Sequence, residues 1–503
     1  MKSLITVGLL LLATAPLSRE KPVDQGTHAM YVSGAVMETI LRAKEAAWDD
    51  LERKGYFAAG TWESHNYYKA CGEDGIIQLG RGANHSHQCF NLDLTGHLTH
   101  GDLGSAGNDS TRRVGSSIWG ITLEGREFAI IGQADGAAFA EVVGRGWWNW
   151  VPFFGKAEGT LDYLGRLPQQ TLPSWWREIK TYKHYAIIGS EAIGHGVQIF
   201  DLRKIVDIRT RWNPLSRATK TFSVTTDLTG WFNDLPVGRS HNVVIAEASD
   251  HVIAVGAQPR NDTCASGLIF IDVSDPSKPK KTGCASGDGY VHDAQCLIYQ
   301  GPHTKYVGKE ICYGYNEDSL TIYDITDKTT TTIISRTSYE GVNYTHQGWV
   351  LDEKDQRFLL LDDELDEVRR VGPAADQHAT TYIWDISNLE KPIQSGIYKS
   401  EAISIDHNQY VHKGYTYQSN YGSGLRVLDI TSIPLDPTGA CVREVAYFDV
   451  FPDDDNSQNV SFVGTWGSYA YFESGHIIVN TIDRGVFVVK RSKEVKGGFR
   501  AEF

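Results

Sequence analysis

Five short apolar runs in this chain end on the same residue. VQIFD, LIFID, LTIYD, TYIWD and LRVLD close at Asp201, Asp272, Asp324, Asp385 and Asp429, and Pro-containing turns such as SDPSKPKKTG and SNLEKPIQSG follow. Alternating apolar residues closed by Asp, Pro and Gly are strand-and-turn material. A motif that returns at such a distance specifies a repeat architecture before anything else about the fold.

Aligning the strand that opens each unit gives SIWGITL at Trp119, SWWREIKTY at Arg177, four openings at His241, His292, His346 and His407, and GTWGSYAYF at Trp466. These markers lie 51 to 64 residues apart. Each unit holds a second strand, from EFAII to HIIVNTI, and then the third strand, Asp-ended in five units. Unit one departs from the pattern, its third strand AAFAEVVG lacking the closing Asp. Four short antiparallel strands repeated seven times make a propeller. The expected fold is all-β, a seven-bladed β-propeller with four-stranded blades and a short N-terminal helix. The last unit stops after GVFVVKRS, so its fourth strand must come from elsewhere. CFNLDLTGHLT at 89–99 has the right alternation to close the last blade and remove its exposed edge.

Ahead of the propeller, residues 34–56 place Val36, Ile40, Ala43, Ala47 and Leu51 at steps of three and four with Gly55 following, which predicts one amphipathic helix docked on the propeller or on a partner. MKSLITVGLLLLATAPLS has the layout of a secretory signal, and no apolar run of about 18 residues follows it. The expected organisation is a signal peptide at 1–18, a helical and disulfide-closed segment at 19–88, the propeller at 89–492 and a tail at 493–503. Sequons at Asn84, Asn108, Asn261, Asn343 and Asn459 agree with a secreted, extracellular glycoprotein. In that compartment Cys296 and Cys312 are expected to bridge neighbouring strands, as are Cys264 and Cys284. Cys71 and Cys89 can close the segment before the repeats, which leaves Cys441; seven buried thiols are the alternative. A net charge of -14 without a basic run disfavours nucleic acid.

WREIKTYKHYAII, VHDAQCLIY, THQGWVLD, LLLDDELDE, IDHNQYVHKG, GLRVLDI and DRGVFVV, in this order, resemble the choice-of-anchor B family of secreted propellers built from LVIVD repeats. The resemblance runs from about Cys89 to Lys490. It implies a seven-bladed fold and an extracellular or surface-displayed protein, and it carries no settled activity. The C-terminal sorting signals of its bacterial members are not seen here.

His241, His292, His346 and His407 open the first strands of four successive units, and in a propeller those strands lie nearest the axis. Their side chains are therefore expected to converge at one mouth of the channel. Imidazoles ligate zinc, copper or iron, with Asp293 or Asp406 as a further ligand or an orienting group, and they also move protons near neutrality. Against this stands a structural reading in which each His braces its own blade. Spacings of this length are not a ligand motif such as HExxH.

LLLDDELDE gathers Asp362, Asp363, Glu364, Asp366 and Glu367. Oxygen donors at Asp362, Asp363 and Glu364 suit calcium, whereas a solvated acidic turn asks nothing of them. Arg177, Arg426 and Arg484 are candidate anion holders, or pair with carboxylates of neighbouring blades. The aromatic loop at Trp147, Trp148, Trp150, Phe153 and Phe154 offers a ligand surface or simple packing. The expected function is binding of an extracellular ligand, glycan or protein partner at the polar channel mouth. The alternative is a glycan lyase or hydrolase that uses these histidines or a bound divalent metal ion.

Overall fold

In the computed structural model, which describes residues 21–107, 112–144, 157–208, 218–457 and 459–492, seven antiparallel sheets stand around one axis. Their innermost strands are Gly115–Leu123, Arg177–Tyr182, Asn242–Ala246, Asp293–Ile298, Thr345–Val350, Asn408–His412 and Thr465–Tyr469. Each packs against the next, and the seventh against the first. The units aligned on the sequence are the blades.

The repeated Asp has a local cause. Asp201, Asp272, Asp324, Asp385 and Asp429 each accept a hydrogen bond from the backbone N–H two residues on, at 2.8 to 3.1 Å. This side-chain turn stops the third strand and starts the connection outward. The apolar residues of these strands fill the seams between blades. Phe128, Ile130 and Phe139 of blade 1 meet Ile188 and Phe200 of blade 2 in one such cluster.

Closure occurs where the alternation required it. Leu92–Leu98 pairs antiparallel with Val486–Arg491 as the outer strand of blade 7, Leu94 facing Val489 and His97 facing Phe487. The stretch read as one strand at 89–99 is nevertheless divided. Cys89 and Phe90 pair with Phe448 and Tyr447 at the edge of blade 6. Between the two strands Asn91 takes a left-handed conformation (φ 55°), and its Nδ2 donates to Val445 O at 2.8 Å; Asn accepts that backbone more readily than most residues. One N-terminal segment thereby serves two blades.

The segment before the ring holds two helices, α1 (Gln25–Val32) and α2 (Ala35–Arg53). The sequence signalled only the second. Its buried face is Val36, Ile40, Lys44, Trp48 and Leu51, with Ala43 and Ala47 at the margin. Trp48 stacks on Trp175 at 4.2 Å and donates from its indole to Phe462 O at 2.9 Å. α1 is tethered by Tyr31, whose hydroxyl donates to Asn343 O, and by the pairing of His28 with Asp318. Asn343 is itself buried and donates from Nδ2 to Gly341 O, so folding covers that sequon. Bridges join Cys71 to Cys89, Cys264 to Cys284 and Cys296 to Cys312, and Cys441 is free and exposed. No helix among the described residues is long and apolar enough to cross a membrane. The aromatic loop at Trp147 to Phe154 and the sequon at Asn108 lie outside the described residues.

Candidate functional site

The four histidines do converge. Successive rings of His241, His292, His346 and His407 lie 4.2, 4.3 and 4.4 Å apart, in an arc across blades 3 to 6. His292, His346 and His407 are buried, and His241 is half-buried. Position on the inner strand explains the meeting, because each backbone reaches the axis at the residue where its first strand begins.

Their hydrogen bonds fix what each ring offers. His292 Nδ1 lies 2.8 Å from His346 O, and His407 Nδ1 lies 2.7 Å from Trp466 O. A carbonyl only accepts, so both rings carry their proton on Nδ1 and leave Nε2 bare. His346 Nδ1 meets Asp362 Oδ1 at 2.9 Å, and His241 Nδ1 meets Glu191 Oε1 at 2.5 Å. These contacts cross from one blade to the next, except that of His346, which is made within blade 5. The bracing role and the ligand role thus fall on different nitrogens of the same ring.

Glu364 completes the group. Its carboxylate lies 3.8 Å from His346 Nε2 and 3.6 Å from His407 Nε2. One atom each from His292, His346 and Glu364 fall within 4.8 Å of one another. Two imidazoles and a carboxylate are a donor set suited to iron, zinc or copper. Lys44 reaches down from α2 to Glu364 Oε1 at 2.6 Å, and Tyr421 donates to the same oxygen. Burial pushes the Glu364 carboxyl up, but the Lys44 ammonium and His407 outweigh it and hold it below the usual range. Burial drives His292 and His346 well below their ordinary pKa, and neighbouring imidazoles and Lys44 add to this; His407 falls to about 4. These three rings are neutral at physiological pH, the state that binds a metal.

α2 covers part of this mouth with Lys44. The cavity left between Lys44, Trp176, Trp466 and the histidines measures about 20 Å³, on a scale where one water needs roughly 10–15 Å³. It admits an ion and a water, and excludes a sugar.

The remaining candidates separate. Asp293 is buried and accepts from its neighbour Ala294 N; burial pushes its carboxyl up to about 7. Arg177 lines the same cavity, but it is committed to Gln133 O at 2.9 Å and to His195 Nε2 at 2.8 Å. Arg426, on the third strand of blade 6, pairs with Glu444 at 3.3 Å and stacks on Tyr447. Arg484 pairs with Asp453 and Asp483.

The acidic run is buried rather than solvated, and its carboxylates point into different surroundings. Asp362 accepts from His346, Gln347 N and Gln409 Nε2. Asp363 accepts from Tyr339 and from the amides of Asn343 and Tyr344. Only Glu364 turns to the axis. Asp406 stands apart from the ring nitrogens, grouped with Asp366 and Glu367. Lys44 and Trp48 were not singled out from the sequence; a Lys between Ile40 and Trp48 on an apolar helix face was the signal available.

A model of the LVIVD repeat matches residues 264–284. That stretch is the blade 3 hairpin closed by the Cys264–Cys284 bridge. No curated protein matches the chain. An LVIVD repeat within a seven-bladed ring fits the LVIVD propeller family, and it is consistent with a propeller that binds a ligand or partner.

Proposed function

We propose that this chain is a secreted propeller of the choice-of-anchor B type whose axial ligand is a first-row transition-metal ion. His292, His346 and Glu364 form the core of the site, and His407 and His241 flank it. The observation that carries the reading is the tautomer of the rings. Acceptors on Nδ1, a carbonyl for His292 and His407 and the Asp362 carboxylate for His346, leave Nε2 bare, the arrangement in which metal-bound imidazoles are commonly held from behind. The size of the cavity favours an ion over the larger ligands first expected at the mouth. A binding role, for a metal whose access α2 controls, follows most directly.

Metal analysis of the purified protein tests this. About one equivalent of zinc, iron or copper is expected, lost in His292→Ala and His346→Ala. In Asp362→Asn the affinity is expected to fall about 10- to 100-fold, since the ring of His346 loses its orienting partner. Protein that carries no metal, and whose melting does not shift when these ions are added after chelation, would overturn the reading. The glycan lyase or hydrolase alternative uses the same residues but requires α2 to lift. Turnover of a glycan by metal-loaded protein would restore it.

A further inference from the structure

A second group of ionisable side chains adjoins the histidine site in sequence and takes no part in it. Asp366 and Glu367 follow the second strand of blade 5, and Asp406 precedes the inner strand of blade 6. Each is at most 1% exposed. One oxygen from each falls within 4.8 Å of the others. Among the described residues, no Lys or Arg forms an ion pair with any of them.

Two of the three are held by neighbouring donors, which engage both oxygens of Asp366 and leave one oxygen of Glu367 over. Glu367 Oε1 accepts from Thr380 N at 2.8 Å, and Asp366 accepts from Glu367 N at 2.9 Å and from the Tyr382 hydroxyl at 2.7 Å. Glu367 Oε2 and both oxygens of Asp406 have no hydrogen-bond partner. Asp406 is therefore a fully buried carboxyl, aimed at two others and otherwise unsatisfied. Such a group must be neutralised by a proton or by a cation. A protonated Asp406 would need an acceptor for its O–H, and no oxygen of Asp366 or Glu367 stands within hydrogen-bond distance of it.

We propose that a hard divalent cation of the calcium type binds between Asp366, Glu367 and Asp406 and ties blade 5 to blade 6. Calcium bonds oxygen at about 2.3–2.6 Å, so ligand oxygens across the ion stand up to roughly 5 Å apart, which the carboxylate spacing meets. The donors are all oxygen, the chemistry of calcium, magnesium and manganese rather than of the metals that imidazoles select. The two sites adjoin, since His407 follows Asp406, yet they differ in donor type and so in the ion each takes.

Calorimetric titration of CaCl2 into full-length, disulfide-intact protein stripped with EDTA is the test, with thermal melts alongside. One Ca2+ per chain and a rise in melting temperature are expected. Asp406→Asn should weaken binding at least about tenfold, as loss of a charged ligand does. Glu367→Gln, whose amide oxygen keeps the Thr380 contact, supplies the same reading should Asp406→Asn fail to fold. His292→Ala should leave Ca2+ binding unchanged while abolishing transition-metal loading, so the two sites fail independently. Absence of Ca2+ and Mg2+ binding at millimolar concentration, with Asp406→Asn as stable as the parent in EDTA, would show that protons neutralise the cluster and would overturn the proposal. Unaltered binding in both variants would do the same by placing the ion elsewhere.

Discussion

A histidine has two nitrogens, and the axial residues use them for separate ends: Nδ1 fastens a neighbouring backbone or carboxylate and Nε2 faces the cavity. His195 shows what happens when both are used for structure. Its Nε2 accepts from Arg177, Nδ1 faces Gly196 O, and the ring is fully buried. Burial, reinforced by the Arg177 guanidinium, lowers its pKa to about 3. The unfolded value is near 6.5, so its contribution is whole above pH 6.5 and is lost as pH falls toward 3. At pH 4.5 that loss is about 2–3 kcal/mol. His195→Gln, which keeps an acceptor for Arg177 and does not titrate, should gain that much on the parent between pH 7 and 4.5 in denaturant titrations; parallel pH profiles would contradict it. The axial histidines were legible in sequence because strand alignment alone brings them to one level. Glu364 was legible only as one carboxylate of an acidic run suited to calcium; its place beside the histidines was not, because alternation along such a run says which face a side chain takes only after the end of the strand is known. His346 and Asp362 lie 16 residues apart in sequence, and only the pairing of their strands makes them partners.

At the scale of elements, the outer strand Leu92–Leu98 covers an edge that would otherwise present unpaired backbone groups. A chain beginning at residue 101 should accordingly expose Val486–Arg491 and associate. Size-exclusion chromatography should show oligomers or aggregate, and a monomer with the melting temperature of the full chain would remove the strand from its closing role. The blades could be read from the sequence because period-2 alternation and Asp turns are local signals. Two features were not legible for the same reason. α1, QGTHAMYV, buries only Tyr31 and has no apolar stripe to announce it, its place being set by contacts with blades 4 and 5. The break at Asn91 depends on which edges stand nearby, and an alternating run looks alike whether it serves one sheet or two.

For the whole molecule, three bridges tie segments near in sequence, at separations of 16 to 20 residues. Loops of this length are worth about 3 kcal/mol each by the loop-entropy account. Non-reducing peptide mapping should recover Cys71–Cys89, Cys264–Cys284 and Cys296–Cys312, with alkylation at Cys441 alone. Free thiols at any of the six would contradict the pairing. Only Cys71–Cys89 anchors the segment that closes the ring, and this sets a timetable for the nascent chain. Leu92–Leu98 is synthesised before any blade, yet its partner Val486–Arg491 is the last described strand to be made. Contacts of such long sequence separation are slow to form and leave sticky edges waiting. For nearly the whole of translation the molecule is an open arc, and the last of its described strands to emerge is the one that turns it into a ring.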